Sequence, residues 1–174
     1  MGGMTYTSIE AEKLTTAEYY GKALHDLGVE HPEVVALTAD LAKSTKISAF
    51  AKEFPDRLIN VGIAEQNMFG IAAGLAKNGF VPFASTFAIF AAARSLDQIH
   101  SDICYQNVPV KILASHAGTS FGQAGSTHHS LIDLAVMRSL PHMTVMCPCD
   151  GAEAYKLVKA AYDIPGPVYI RINR

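Results

Sequence analysis

Short blocks of consecutive apolar residues alternate along the chain with longer stretches in which apolar positions return every three or four residues. The blocks at 34–38, 58–61, 81–87, 108–115, 143–147 and 168–172 read as strands. They are nearly all apolar, which is the character of strands covered on both faces. The stretches at 16–27, 47–54, 88–105, 131–140 and 151–161, and one from Glu65 to the stop signal Asn78-Gly79, read as helices. Thr15 or Thr16 is placed to cap the first of them, and Gly28 to end it. Strands alternating with helices predict an α/β fold with a mainly parallel sheet. In such sheets ligands bind outside the carboxyl ends of the strands. On this reading that edge carries Asp40, Glu65, Phe87, His116 and Arg171.

A length of 174 residues, 49% of them hydrophobic and 17% charged, supports a real core and reads as one domain behind a polar arm at residues 1–14. The net charge of −2 points to no nucleic-acid or membrane-surface partner. No apolar run reaches the roughly 18 residues of a spanning helix, and the opening Met-Gly-Gly-Met lacks the basic and apolar regions of a secretory signal. Three cysteines without CxxC spacing fit reduced thiols and a cytoplasmic location. Cys147 and Cys149 read as small packing residues around Pro148.

The stretch Arg57-Leu-Ile-Asn-Val-Gly-Ile-Ala-Glu-Gln-Asn-Met-Phe-Gly70 carries the strongest chemistry. A strand runs into Gly62, which turns without a Cβ, and a helix begins near Glu65. An acid at a helix start is ordinary, because it complements free N–H groups. This one is flanked by Ile63, Ala64, Met68, Phe69, Ile71 and Ala72, so its carboxylate is expected to be partly desolvated and suited to sharing a proton near neutral pH. Phe87 and Phe90, three apart at a strand-to-helix turn, read either as core or as an apolar slot for a flat heteroaromatic ring. The long loop 116–130 holds three glycines in its central part and three histidines. His116 and His128 suit proton transfer or hydrogen bonding to a substrate hydroxyl, and His129 reads as a surface or capping residue. Arg171, inside an apolar strand, needs an anion: a substrate phosphate or carboxylate, or a structural Asp. Arg94 and Asp97, three apart on one helix, read as a structural ion pair or an interface contact.

From Thr16 to Arg174 the chain resembles the pyrimidine-binding (Pyr) domain of transketolases, through TADLAKST, GIAEQNM, ASTFAIF, SHAGTSFGQAGSTHHSLIDLAVMRSLP, MCPCDGAEA and YIRINR in family order. The resemblance implies a three-layer α/β sandwich with about six mainly parallel strands and thiamine diphosphate as cofactor. Glu65 would be the acid that activates the aminopyrimidine, Phe87 and Phe90 the walls of its pocket, and Asp40 and Leu41 would approach the cofactor from an opposing subunit. It also implies His116 and His128 in the substrate channel, as catalytic and substrate-binding groups, and Ser44 and Arg171 on the sugar phosphate.

Two positions depart from the family. Ala17 follows Thr16 where an Arg usually helps hold phosphate, and Ala124 stands where an Asp usually reads an acceptor hydroxyl. A branched, deoxy or otherwise modified sugar is therefore expected. No Gly-Asp-Gly motif with a downstream Asn is seen, so Mg²⁺ and diphosphate are expected on a partner, the diphosphate-binding subunit of a split transketolase. The chain alone would be inactive and form a homodimer, or a heterotetramer with that partner, meeting it through the surfaces around Ala91–Ala93 and Met68–Phe69. Within the superfamily the alternatives are the β-type subunit of a 2-oxoacid dehydrogenase and a deoxyxylulose-phosphate synthase. Outside it they are a non-catalytic scaffold and, more weakly, a nucleotide-binding domain without GxGxxG.

Overall fold

The computed structural model describes residues 14–173, so the arm expected at 1–14 lies almost wholly outside the described residues. Its strands are β1 (Val34–Thr38), β2 (Leu58–Asn60), β3 (Val81–Phe87), β4 (Lys111–Ser115), β5 (Thr144–Met146) and β6 (Val168–Arg171). They form one six-stranded sheet in the order β2-β1-β3-β4-β6-β5, and every pairing is parallel. β4 starts three residues later than its apolar run, because Pro109 cannot donate to the ladder.

The α-helices are α1 (Thr16–Glu30), α2 (Ser48–Glu53), α3 (Glu65–Lys77), α4 (Leu96–Gln98), α5 (Asp133–Arg138) and α6 (Gly151–Tyr162). The period-2 geometry of the strands sorts them into two layers. On β1, Val35 and Leu37 face a core built with Met68, Phe69 and Ala72 of α3, Ile99, Ile103 and Met137. Val34 and Ala36 face the opposite core, with Tyr20, Leu24 and Leu27 of α1, Phe50 of α2 and Val158 of α6. The result is the expected three-layer sandwich.

Three expectations change. α1 does not end at Gly28 but runs to Glu30. Gly28 is internal because a Cβ there would lie 2.6 Å from Phe50 Cε2 and 2.8 Å from Phe54 Cε2, so the glycine admits two rings. Thr15 makes the cap, in a reciprocal box with Glu18. The alanine-rich stretch 88–105 is not one regular α-helix: π-helical turns at Phe90–Arg94 and Ile99–Cys104 flank α4. Bonds such as Tyr105 N–H to His100 O at 2.8 Å span five residues instead of four. Finally, Ala91, Ala92, Met68 and Phe69 are fully buried inside the domain and offer no partner surface, which leaves Ala93 as the exposed member of the two expected patches. The large exposed apolar residues include Ile63, Tyr105, Leu131 and Ile132.

Candidate active site

β1 leads to β2 on one side of the sheet and β3 lies on the other, so a crevice opens where their carboxyl ends diverge. Ala39, Asp40 and Leu41 enter it from β1, Ile63 and Glu65 from β2, and Phe90 and Arg94 from β3. Together they line a cavity of about 300 Å³. Asp40 turns out of β1 at φ 61°, a left-handed conformation that Asp tolerates, and its N–H donates to Asn60 Oδ1 at 3.0 Å.

Glu65 is the first residue of α3, and Ala64 before it provides no side-chain cap. The side chain is only 2% exposed, as the apolar neighbours suggested. Arg94 Nη1 donates to Glu65 Oε2 at 2.8 Å, and the same guanidinium lies 4.0 Å over the centre of the Phe90 ring. The pair expected between Arg94 and Asp97 gives way to this one. Asp97 instead accepts from Ser101 Oγ, and Arg94, the last residue of a π-helical turn, reaches Glu65 of α3. Phe87 does not line the cavity. It lies buried behind Phe90, ring centres 5.5 Å apart, and sets that ring's position.

A buried carboxylate at the edge of a phenyl face is a suitable seat for a flat heteroaromatic ring bearing N–H groups. That the seat accepts such a shape is visible in Arg94, whose planar, N–H-rich guanidinium sits there.

A second cavity of about 260 Å³ is lined by Thr15, Ala17, Ser44, Lys46, His116 and Phe121. The carbonyl of Lys46 would be 2.1 Å from a Cβ at Gly21, so the bare backbone of α1 lets the loop after β1 settle against it. His116 leaves β4 at φ 57° and shares a 2.9 Å hydrogen bond between its Nδ1 and Ser115 Oγ. Its ring packs 4.3 Å from Phe87 and 4.6 Å from Phe121. His128 stands 5.4 Å from Phe90 and 5.5 Å from Phe121, so one aromatic cluster joins the two cavities. His129 points elsewhere, to Gly122 O.

Arg171 lines neither cavity. Its Nε donates to the buried Asp133 at 2.9 Å, which is the structural acid left open as one alternative. Its Nη2 lies 3.3 Å from where a Cβ on Gly118 would be, placing it beneath the 116–130 loop, which a Gly118–Ser130 bridge closes. Cys147 and Cys149 are exposed, not packed, because β5 is an edge strand that ends before them; only Cys104 is buried.

A family profile described as "Transketolase, pyrimidine binding domain" matches residues 12–174. The chain belongs to this transketolase family. It is 43% identical over 155 residues to a "Putative transketolase C-terminal section" of Methanocaldococcus jannaschii, covering 89% of this chain and 49% of that protein. It is 44% identical over 151 residues to one subunit of an apulose-4-phosphate transketolase of Phocaeicola vulgatus, covering 87% and 48%. A solved structure described as "Split gene transketolase, inactive beta4 tetramer" superposes with a TM-score of 0.82 at 53% identity, covering 92% of this chain and 52% of that one. The chain thus spans about half the length of the curated relatives it matches. Membership of the transketolase family implies thiamine diphosphate as cofactor, and the planar, N–H-rich Arg94 guanidinium against Glu65 and Phe90 shows that the cavity accepts a flat, donor-bearing group. For this transketolase domain, sequence reading missed Arg94, Lys46 and Phe121 as cavity-lining residues. Lys46 and Phe121 had a signal, lying in the same loops as Ser44 and as His116 and His128; Arg94 reaches its cavity only through the fold.

Proposed function

We propose that residues 15–174 form the Pyr domain of a transketolase component that carries the pyrimidine half of a thiamine-diphosphate site and moves a two-carbon ketol unit between sugars or sugar phosphates. The observation that carries this reading is the buried Glu65 carboxylate beside the Phe90 face in one cavity at the sheet's switch point. When bound, the cofactor supplies the carbon nucleophile that takes up the ketol unit. Glu65 holds and exchanges the proton at the ring nitrogen, in a pocket walled by Phe90, which Phe87 backs from behind. Asp40 and Leu41, expected to reach the cofactor from an opposing subunit, line the same cavity as Glu65 of their own chain and close it from β1. His116 and His128 exchange protons with substrate hydroxyls. Ser44 and Lys46 hold the substrate phosphate where Ala17 provides no cation, and Arg171, which lines neither cavity, supports the loop over it from Asp133.

The diphosphate and its Mg²⁺ would be held by a second polypeptide, the diphosphate-binding subunit; a second polypeptide is in keeping with matched relatives described as a subunit and as the product of a split gene. Alone, this chain would be inactive and self-associated, in keeping with the solved split-gene tetramer, which is described as inactive. A cytoplasmic setting suits this role; among the described residues no helix is long and apolar enough to cross a membrane. The test is reconstitution with a chain bearing Gly-Asp-Gly and a downstream Asn, followed by product analysis. Ketol transfer from apulose 4-phosphate or an unbranched ketose phosphate is expected in the mixture only. Turnover of pyruvate instead would assign the chain to the synthase or dehydrogenase class, and ketol transfer by this chain without the second polypeptide would contradict the two-chain reading.

A further inference from the structure

We propose that Arg94 is a built-in occupant of the cofactor-ring seat, which the aminopyrimidine must displace. The proposal rests on the Pyr-domain reading above and deepens it by naming a residue that sets ring affinity.

Both surfaces that a ring would use are engaged by one side chain. The Glu65 oxygen accepts from Arg94 Nη1 at 2.8 Å, and the Phe90 face carries the Arg94 guanidinium at 4.0 Å. A guanidinium shares three features with a protonated aminopyrimidine: it is planar, it is cationic, and it presents N–H donors along an edge. Stacking and charge-assisted hydrogen bonding therefore satisfy Glu65 and Phe90 in the same geometry either way. The pair also answers a need of the isolated fold, because a carboxylate that is 2% exposed requires a counter-ion when no ligand is present.

Arg94 is suited to leave. Its side chain is 45% exposed, so it is solvated from outside while Glu65 is not. It stands at the last position of a π-helical turn, and Ser95 after it breaks the run. Arg94 also lines a neighbouring cavity with Asp97 and His100. Asp97, whose bond to Ser101 Oγ is exposed, offers the guanidinium a second carboxylate once it swings out. Arg94 thus lines two cavities, one with Glu65 and the other with Asp97, and a swing from the first into the second opens the seat. Ring affinity is lowered by whatever fraction of molecules keeps the seat closed.

The experiment is calorimetric titration of the full chain with thiamine, which has the ring but no diphosphate. Arg94→Gln and Arg94→Ala are expected to bind thiamine about 3- to 10-fold more tightly than wild type. Phe90→Ala added to Arg94→Gln should remove that gain, which ties it to this seat. Arg94→Lys, which keeps the charge but not the plane, should fall between. Thiamine binding that is equal or weaker in Arg94→Gln and Arg94→Ala, with both folded by circular dichroism, would overturn the proposal and leave the Pyr-domain reading intact. Absence of thiamine and thiamine-diphosphate binding in every variant, with and without the diphosphate-binding partner, would overturn both.

Discussion

Tyr169 and Arg171, two residues apart on β6, donate to the same oxygen of Asp133 at 3.0 and 2.9 Å. Strand periodicity puts both side chains on one face, and α5 lowers a 1%-exposed carboxylate onto them. The arrangement ties the last strand to the helix that follows the 116–130 loop. Asp133→Ala leaves a guanidinium and a buried hydroxyl without their acceptor, and we expect a loss of roughly 3 kcal/mol or more in urea unfolding. Tyr169→Phe removes one neutral donor and should cost about 1 kcal/mol. A loss near 1 kcal/mol for Asp133→Ala as well would mean that Arg171 finds solvent on its own.

Two glycines should respond to alanine with opposite signs. At Gly21 the new methyl would meet the Lys46 carbonyl at 2.1 Å, a backbone atom that cannot turn aside, so α1 and the loop after β1 must separate. Overpacking of this kind costs about 1–3 kcal/mol, and the Ser44–Lys46 side of the second cavity would shift with it. Gly74 lies inside α3 with nothing within 4 Å of its would-be Cβ, so Gly74→Ala should gain about 0.5–1 kcal/mol from helix propensity alone. Thermal denaturation of the two variants checks both signs in one experiment.

Glu65→Gln separates the chemistry from the packing. Glutamine fills the same buried volume and can still accept from Arg94, but it cannot exchange a proton. In the complex reconstituted with the diphosphate-binding subunit, turnover should fall on the order of 100-fold, the usual worth of an acid–base group. Stability should stay near wild type, because removing a buried charge offsets a pair whose other member is 45% exposed. Unchanged turnover at saturating cofactor would show that Glu65 is a structural acid.

The fold is legible in the sequence because its signals are local. The strands sit within short, largely apolar runs, and Gly62 and a threonine at 15 or 16 mark a turn and a helix start by residue type alone. The site is legible as far as it follows strand ends: Asp40, Glu65 and His116 each stand just beyond one. What stays hidden depends on register or on long-range approach. The stretch 88–105 has no glycine or proline to flag an irregularity, and the choice of five-residue over four-residue bonds is made by packing against α3 and α5. With that choice unseen, α-helical spacing pairs Arg94 with Asp97, when its partner lies 29 residues away. The exposure of Cys147 and Cys149 follows from β5 being placed at the sheet edge, which the order of strands along the chain does not reveal. Met68 and Phe69 look available to a partner in sequence because the same apolar character marks a core face and an interface face.

Lys111 gives the fold a pH dependence that one substitution can isolate. It opens β4, is fully buried, and its Nζ donates to the carbonyls of Ile164 and Gly166. Burial pushes its pKa down to about 8 from a free value of 10.5, opposed by the nearby Asp163. Between those two values the unfolded chain binds the proton that the folded chain has released, so folding stability rises with pH across that window and levels off below about 8. The size of the effect, for a shift of this order, is on the order of 3 kcal/mol. Cys104 and Tyr20 act in the opposite direction at higher pH: burial raises both, so the folded chain keeps protons that the unfolded chain loses. Lys111→Met removes the first contribution and leaves the others. The stability difference between wild type and Lys111→Met, from urea unfolding at pH 7.5, 9 and 10.5, should therefore shift steadily in favour of wild type as pH rises. A difference that is flat across the three would mean that Lys111 keeps its proton, held by the two carbonyls it caps.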